Sequence, residues 1–110
     1  MKRKGPSPTQ RSLKKLREEG YLAEVVEKRL PRVFITKDLY GFLDILAIRP
    51  GEILGVQTTS AGNVAARLTK IREHENYAAV VASGMRVVVH GWNRPTKTRR
   101  RWVLRVEEVR

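Results

Sequence analysis

Asp44, Gln57 and Thr59 are the residues whose types and spacing could do chemistry. They fall on two apolar runs of strand length, residues 42–48 and 53–59, joined by Arg49-Pro50-Gly51-Glu52, which carries Pro and Gly in the order a tight turn prefers. With Pro50 and Gly51 as the loop residues, Ile48 faces Ile53, Leu46 faces Gly55, and Asp44 faces Gln57 with Cβ atoms roughly 5 Å apart. Thr59, two residues beyond Gln57, projects from the same side of its strand, whereas Val56 and Thr58 point to the other. An acid, an amide and a hydroxyl thus converge on one spot among apolar neighbours. The convergence depends on register: a Pro-Gly turn fits strand twist less well than the primed turns, and a shift by one residue would separate the pair. The competing reading is a structural Asp satisfied by neighbouring backbone or by the Gln57 amide.

The remaining composition narrows what that spot could be. The chain has no cysteine, which excludes a disulfide framework, a zinc–thiolate site and a thiol nucleophile, and its two histidines, His74 and His90, are too few for a His-rich metal site. Its 110 residues suit one domain with a single small sheet and a few helices. Twenty-three basic residues against eleven acidic ones give a net charge of +12, which points to a polyanionic partner, most economically nucleic acid. A membrane surface is the rival polyanion. No apolar run approaches the roughly 20 residues of a spanning helix, and MKRKGPSPT lacks the apolar segment of a signal peptide, so no membrane role and a cytoplasmic location are expected.

The elements that must position the hairpin follow from local pattern. Residues 1–7 read as a flexible basic arm and residues 8–110 as a single domain. Ser7-Pro8-Thr9-Gln10 reads as a helix start, with Ser at N-cap, Pro at N1 and Gln at N3. That helix should run to about Glu19 and stop at Gly20, with Leu13 and Leu16 inward and a basic surface that includes Lys14 and Lys15. Residues 21–28 form the first strand candidate, with Ala23, Val25 and Glu27 on one face, and Pro31 ends it or marks an edge. Residues 32–39 are ambiguous, strand-like at 33–35 and loop-like at Lys37-Asp38, and are taken as a connection. Residues 61–75 place Val64, Leu68 and Ile71 on one helical face and Asn63, Arg67, Lys70 and His74 on another. Residues 77–83 add a further apolar helical turn or two, ended by Gly84. Residues 85–92 and 101–109 read as a closing hairpin with Trp102, Leu104 and Val106 inward. Helices beside a small mixed sheet make the fold α/β (α+β).

An Asp in one hairpin strand, then an acid or amide, one residue and a polar residue in the next, followed by a basic amphipathic helix, resembles the PD-(D/E)XK superfamily of restriction-endonuclease-like nucleases. The closest flavour is that of Holliday-junction resolvases and short phage-type nucleases, which suggests a phage-encoded origin. The resemblance covers residues 8 to about 92 and implies an αβββαβ core with an extra C-terminal strand. It places the family's Asp on Asp44, its Glu on Gln57 and its Lys on Thr59, the last a departure. The family's additional acid has no counterpart at Thr9 or Gln10, so Glu27, then Glu24, is its stand-in. Lys70, or else Arg67, sits where a lysine supplied from the following helix could lie.

That resemblance implies a metal-dependent DNA endonuclease using Mg²⁺ or Mn²⁺, a homodimer, and selectivity for branched DNA. Asp44 would be the main ligand, with Gln57, the Thr58 carbonyl and Glu27 completing the site. Gln in place of Glu removes a negative charge and predicts weak metal affinity, which keeps open a DNA-binding or architectural protein that cuts poorly or not at all. A small basic RNA-binding or ribosome-associated protein is the third reading. Asp38 is a further candidate to assist the metal site, although an Asp entering a turn more often reads as a local backbone cap. His74 and His90 read as surface or satisfied residues, and Trp92 and Trp102 as packed against the final hairpin rather than stacked on bases. The loop cations Arg94, Lys97, Arg99, Arg100 and Arg101, with Lys14, Lys15 and Arg67, are assigned to phosphate contact.

Overall fold

The computed structural model describes residues 5–30 and 35–110. Helix α1 (Pro8–Glu18) begins where its sequence dictates: the Ser7 hydroxyl accepts the Gln10 N–H at 3.2 Å, and Pro8 sits in the first turn, where a missing N–H costs nothing. Gly20, with φ +92°, ends it. There follow β1 (Leu22–Val25), β2 (Lys28–Leu30), β3 (Ile35–Lys37), β4 (Ile45–Arg49) and β5 (Glu52–Ser60). A 3-10 turn over Ala61–Asn63 leads into α2 (Val64–Glu73), α3 (Tyr77–Ala82), β6 (Arg86–Asn93) and β7 (Val103–Glu108). Five strands form one mixed sheet in the order β1-β4-β5-β6-β7, in which only β5 and β6 run parallel, while β2 and β3 pair by themselves. The chain is therefore a small α/β (α+β) fold: an αβββαβ order with a short hairpin inserted after β1 and a strand added at the β6 edge.

The β4–β5 hairpin has the register that Pro50-Gly51 sets, from Arg49↔Glu52 to Ile45↔Val56. Gly51 takes φ +77°, the conformation that the third residue of a type II turn requires and that a side chain would oppose. Glu52 ties the turn to its surroundings, accepting from the Tyr21 hydroxyl at 2.8 Å and from Arg49 at 2.7 Å.

Alternation along the strands supplies two cores. Ile45, Ala47, Leu54, Val56 and Val88 pack on Leu13 and Leu16 of α1, whereas Val87, Val89 and Leu43 pack on Val64 and Ile71 of α2 and Val80 of α3. The Val87-Val88-Val89 run is buried on both faces, as a central strand demands. Each such side chain contributes roughly 1.5–3 kcal/mol of burial.

One expectation needs correction, and others fall outside what is described. Val106 does not point inward: it is 52% exposed, because β7 is the edge strand and nothing covers that stretch of it among the described residues. Residues 1–4 of the expected arm, Pro31, and most of the strand-like stretch at 33–35 lie outside the described residues, although Ile35 begins β3. Among the described residues, no helix is long and apolar enough to cross a membrane.

Candidate metal centre

Asp44 sits one residue before β4, where the hairpin ladder stops being regular. Its N–H donates to the Val56 carbonyl at 2.9 Å, while Val56 is also the Cα partner of Ile45. Two residues against one is the count of a β-bulge, which bends a strand and re-aims a side chain. The consequence is a correction to the pairing read from register alone. The Asp44 carboxylate does not meet Gln57 and Thr59; its Oδ2 accepts the Thr58 N–H at 2.7 Å and the Thr58 hydroxyl at 3.2 Å. That hydroxyl also bonds the Thr9 hydroxyl at 2.7 Å, which fastens the site to the first turn of α1.

The acids that join Asp44 are Glu27 and Asp38. One carboxylate oxygen from each lies within 4.8 Å of the others. Glu27 arrives by continuing past β1, where the Val26 N–H donates to the Asp44 carbonyl at 2.8 Å. Asp38 is placed by a tight turn: the Gly41 N–H donates to the Asp38 carbonyl at 3.1 Å, with Tyr40 at φ +56° and Gly41 at +90°. Positive φ at a Tyr is strained, and such strain persists only where the surroundings over-determine it. The turn thus closes through backbone atoms, leaving the Asp38 carboxyl to face Asp44 instead of acting as a cap.

Crowding of carboxylates sets their protonation. Burial, then the hydrogen bond and charge of Asp44, push the Asp38 carboxyl up to about 7, against a smaller opposing pull from Arg67. Burial also raises Asp44, although the Thr58 N–H stabilises its ionised form. Like charges this close cannot all ionise without a cation, so one proton is shared across the Asp38–Asp44 pair near neutrality. Three hard oxygen donors in one cluster fit Mg²⁺ or Mn²⁺ in kind.

The other expected site residues distribute as follows. Gln57 is buried and its Nε2 donates to the Phe42 carbonyl at 3.1 Å, bracing the segment that leads into Asp44; its Oε1 has no partner among the described residues. An orphaned buried acceptor is costly, and a cation or water would satisfy it. Thr59 is buried opposite Gly91 on the α2 side of the sheet, so the hydroxyl that reaches Asp44 is Thr58's. The part that Thr58 plays here, through its N–H and hydroxyl, is to hold Asp44. Glu24 is exposed and pairs with Arg17 at 3.7 Å, away from the acids. Lys70 is exposed on α2, and Arg67, one turn earlier, is the cation whose charge acts on Asp38.

The basic residues line the outside of this arrangement. Lys14 is exposed and reaches Glu18 at 3.9 Å, while burial, aided by the charge of Lys15, drives His90 down to about 4 and keeps it neutral. His90 Nδ1 lies 2.9 Å from the Ser12 hydroxyl, and His74 accepts the Asn76 N–H at 3.0 Å, so both are satisfied structural residues. In the 93–101 loop, Arg99 donates to the Arg94 carbonyl at 2.7 Å and so shapes the turn, leaving Arg94, Lys97, Arg100 and Arg101 exposed. No known family model matches the chain, and no curated protein matches it.

Proposed function

We propose that the protein is a metal-dependent DNA endonuclease of the restriction-endonuclease-like kind, acting on branched DNA. The observation that carries this reading is the convergence of Glu27, Asp38 and Asp44 within 4.8 Å in a chain of net charge +12. Acids gathered against their own repulsion, in a protein otherwise suited to polyanions, are explained by a cation that bridges protein and phosphate. Bound there, Mg²⁺ or Mn²⁺ would lower the pKa of an attacking water and offset charge developing on the phosphorane.

The chain's own residues have separable roles. Thr58 fixes one oxygen of Asp44 and leaves the other for a ligand. Glu27 and Asp38 would hold the cation together with Asp44, and the proton that Asp38 carries toward neutrality in the metal-free cluster would leave as the cation enters. The Arg67 guanidinium can hold a phosphate oxygen where Thr59 leaves the family's lysine position without charge. Lys70 is the alternative source of that charge.

Cleavage of branched, single-stranded and duplex DNA with Mg²⁺ or Mn²⁺ tests the reading. Asp44→Ala should abolish cleavage while sparing DNA binding. Of Arg67→Ala and Lys70→Ala, the one that supplies the charge should cut the rate about 10²-fold, comparable to losing one positioned electrostatic group. A second reading, a DNA-binding protein without cleavage, is favoured by Thr59 itself, whose buried hydroxyl cannot replace a lysine. Tight DNA binding with no cleavage under either metal would establish it and end the nuclease reading.

A further inference from the structure

The two tryptophans of the chain lie together, and the packing does not use them up. Trp92 on β6 faces Leu104 on β7, which makes Trp102, two residues earlier, its diagonal neighbour on the α1 side of the sheet. Both are half-buried. They form the shared floor of a cleft with two lobes of about 590 and 530 Å³, and Pro6 and Arg11 also border both lobes.

Each ring is held in place. Trp92 Nε1 donates to the Ser12 hydroxyl at 2.9 Å, and that fully buried hydroxyl is also hydrogen-bonded to His90 Nδ1 at 2.9 Å. The Arg11 guanidinium lies 3.8 Å over the Trp102 ring, and its Nε is buried with no hydrogen-bond partner among the described residues. A cation stacked on one ring beside a second half-buried ring is a platform for a flat, electron-rich group. The rim is cationic: Arg11, Lys14, Lys15 and Arg94 face a single acid, Glu18.

We infer that this cleft binds unpaired nucleotides of single-stranded DNA, stacking bases on Trp92 and on the Arg11–Trp102 pair while Lys14, Lys15 and Arg94 take the phosphates. Base-paired DNA cannot use it, because its base faces are already stacked within the duplex. Position supports the assignment: Ser60, which borders the second lobe, ends the strand in which Thr58 holds Asp44. Cleft and acid cluster therefore share one end of the sheet. The inference deepens the proposed function, resting on it for the meaning of that proximity, and it names the unpaired segment of the substrate.

Binding can be read separately from cleavage. Trp92 and Trp102 are the only tryptophans, so fluorescence excited selectively at tryptophan reports on the cleft alone. A twenty-residue oligo-dT titrated in EDTA should quench it saturably. Trp102→Ala, at a half-buried side chain just before the edge strand, should weaken oligo-dT binding about 5- to 100-fold, the range for losing one stacked base, while Trp102→Phe retains most of it. Affinity for a twenty-pair duplex should move less than about twofold. Lys15→Glu, which leaves both rings in place, should weaken oligo-dT binding as well. Unchanged oligo-dT affinity in Trp102→Ala, or equal losses for single strand and duplex, would overturn the inference. So would preference for oligo-U by more than about tenfold, which would assign the cleft to RNA. If quenching and its loss behave as expected but no substrate is cleaved, the nuclease reading fails and the cleft assignment stands.

Discussion

Asp38 is the residue on which acid–base behaviour should turn. Its ordinary carboxyl value is 3.8 and its folded one about 7. Below about 4 both folded and unfolded chains carry the proton. Between there and 7 the unfolded chain releases it and the folded chain does not, so the metal-free fold loses stability as pH rises through that window and no more above it. Asp38→Asn should flatten the loss, measured by thermal or urea unfolding from pH 4 to 8 in EDTA; an equal slope in wild type and variant would place the raised group elsewhere. A cation entering the cluster must displace the shared proton. Mn²⁺ should therefore bind about tenfold more tightly per pH unit below 7 and level off above it, with calorimetry in buffers of different ionisation enthalpy reporting the proton released. Affinity independent of pH between 5 and 7 would mean that the ion binds without touching Asp38.

At the scale of elements, the positions that control the site are glycines against which a helix or turn is packed. A Cβ on Gly91 would press into the Val64 side chain and lie 3.0 Å from the Ala61 Cα, so β6 can approach the start of α2 only without a side chain there. Backbone cannot yield as a flexible side chain does. Gly91→Ala should cost about 1–3 kcal/mol, read as a lowered urea midpoint with an unchanged m-value; a loss below about 0.3 kcal/mol would show that α2 shifts freely on the sheet. These elements were legible wherever a local signal sufficed. Ser7, Pro8 and Gln10 mark the start of α1, Gly20 and Gly84 mark ends, and Pro50-Gly51 sets the hairpin register. The site was only half legible, because its details arise from contacts between distant segments. The bend at Asp44 reflects a strand that must serve β1, β5 and the Leu39–Leu43 bridge at once. Asp38 reaches the acids through a positive φ at Tyr40, a residue type that gives no warning of that conformation. The tryptophan cleft joins Ser12 to Trp92 across 80 positions of sequence, which no periodicity can reveal.

Across the whole molecule, charge is distributed unevenly, and the proposed DNA binding predicts which cations should carry it. Eight of the eleven acids are drawn into the cluster or paired: Glu27, Asp38 and Asp44 form the cluster, Glu18 pairs with Lys14, Glu24 with Arg17, Glu52 with Arg49 and Arg86, Glu108 with Arg86, and Glu107 with Arg105. Arg94, Lys97, Arg100 and Arg101 form no ion pairs among the described residues and extend from the β6–β7 loop. Exposed cations without acids nearby lose little on meeting phosphate, and each phosphate they neutralise releases a condensed counterion. Duplex binding should thus weaken steeply with salt, with a slope of about −0.9 in log K against log salt per contact, and depend little on sequence. Arg99 must be left out of the test, since its guanidinium holds the Arg94 carbonyl and its replacement would unmake the loop. Lys97→Ala, Arg100→Ala and Arg101→Ala combined should flatten the slope by up to about 2.7, three contacts' worth, without altering the far-ultraviolet circular dichroism or the melting temperature. If slope and affinity both stay as they were, the loop is a solvated surface, and duplex DNA must be held instead by the cations of α1 and α2.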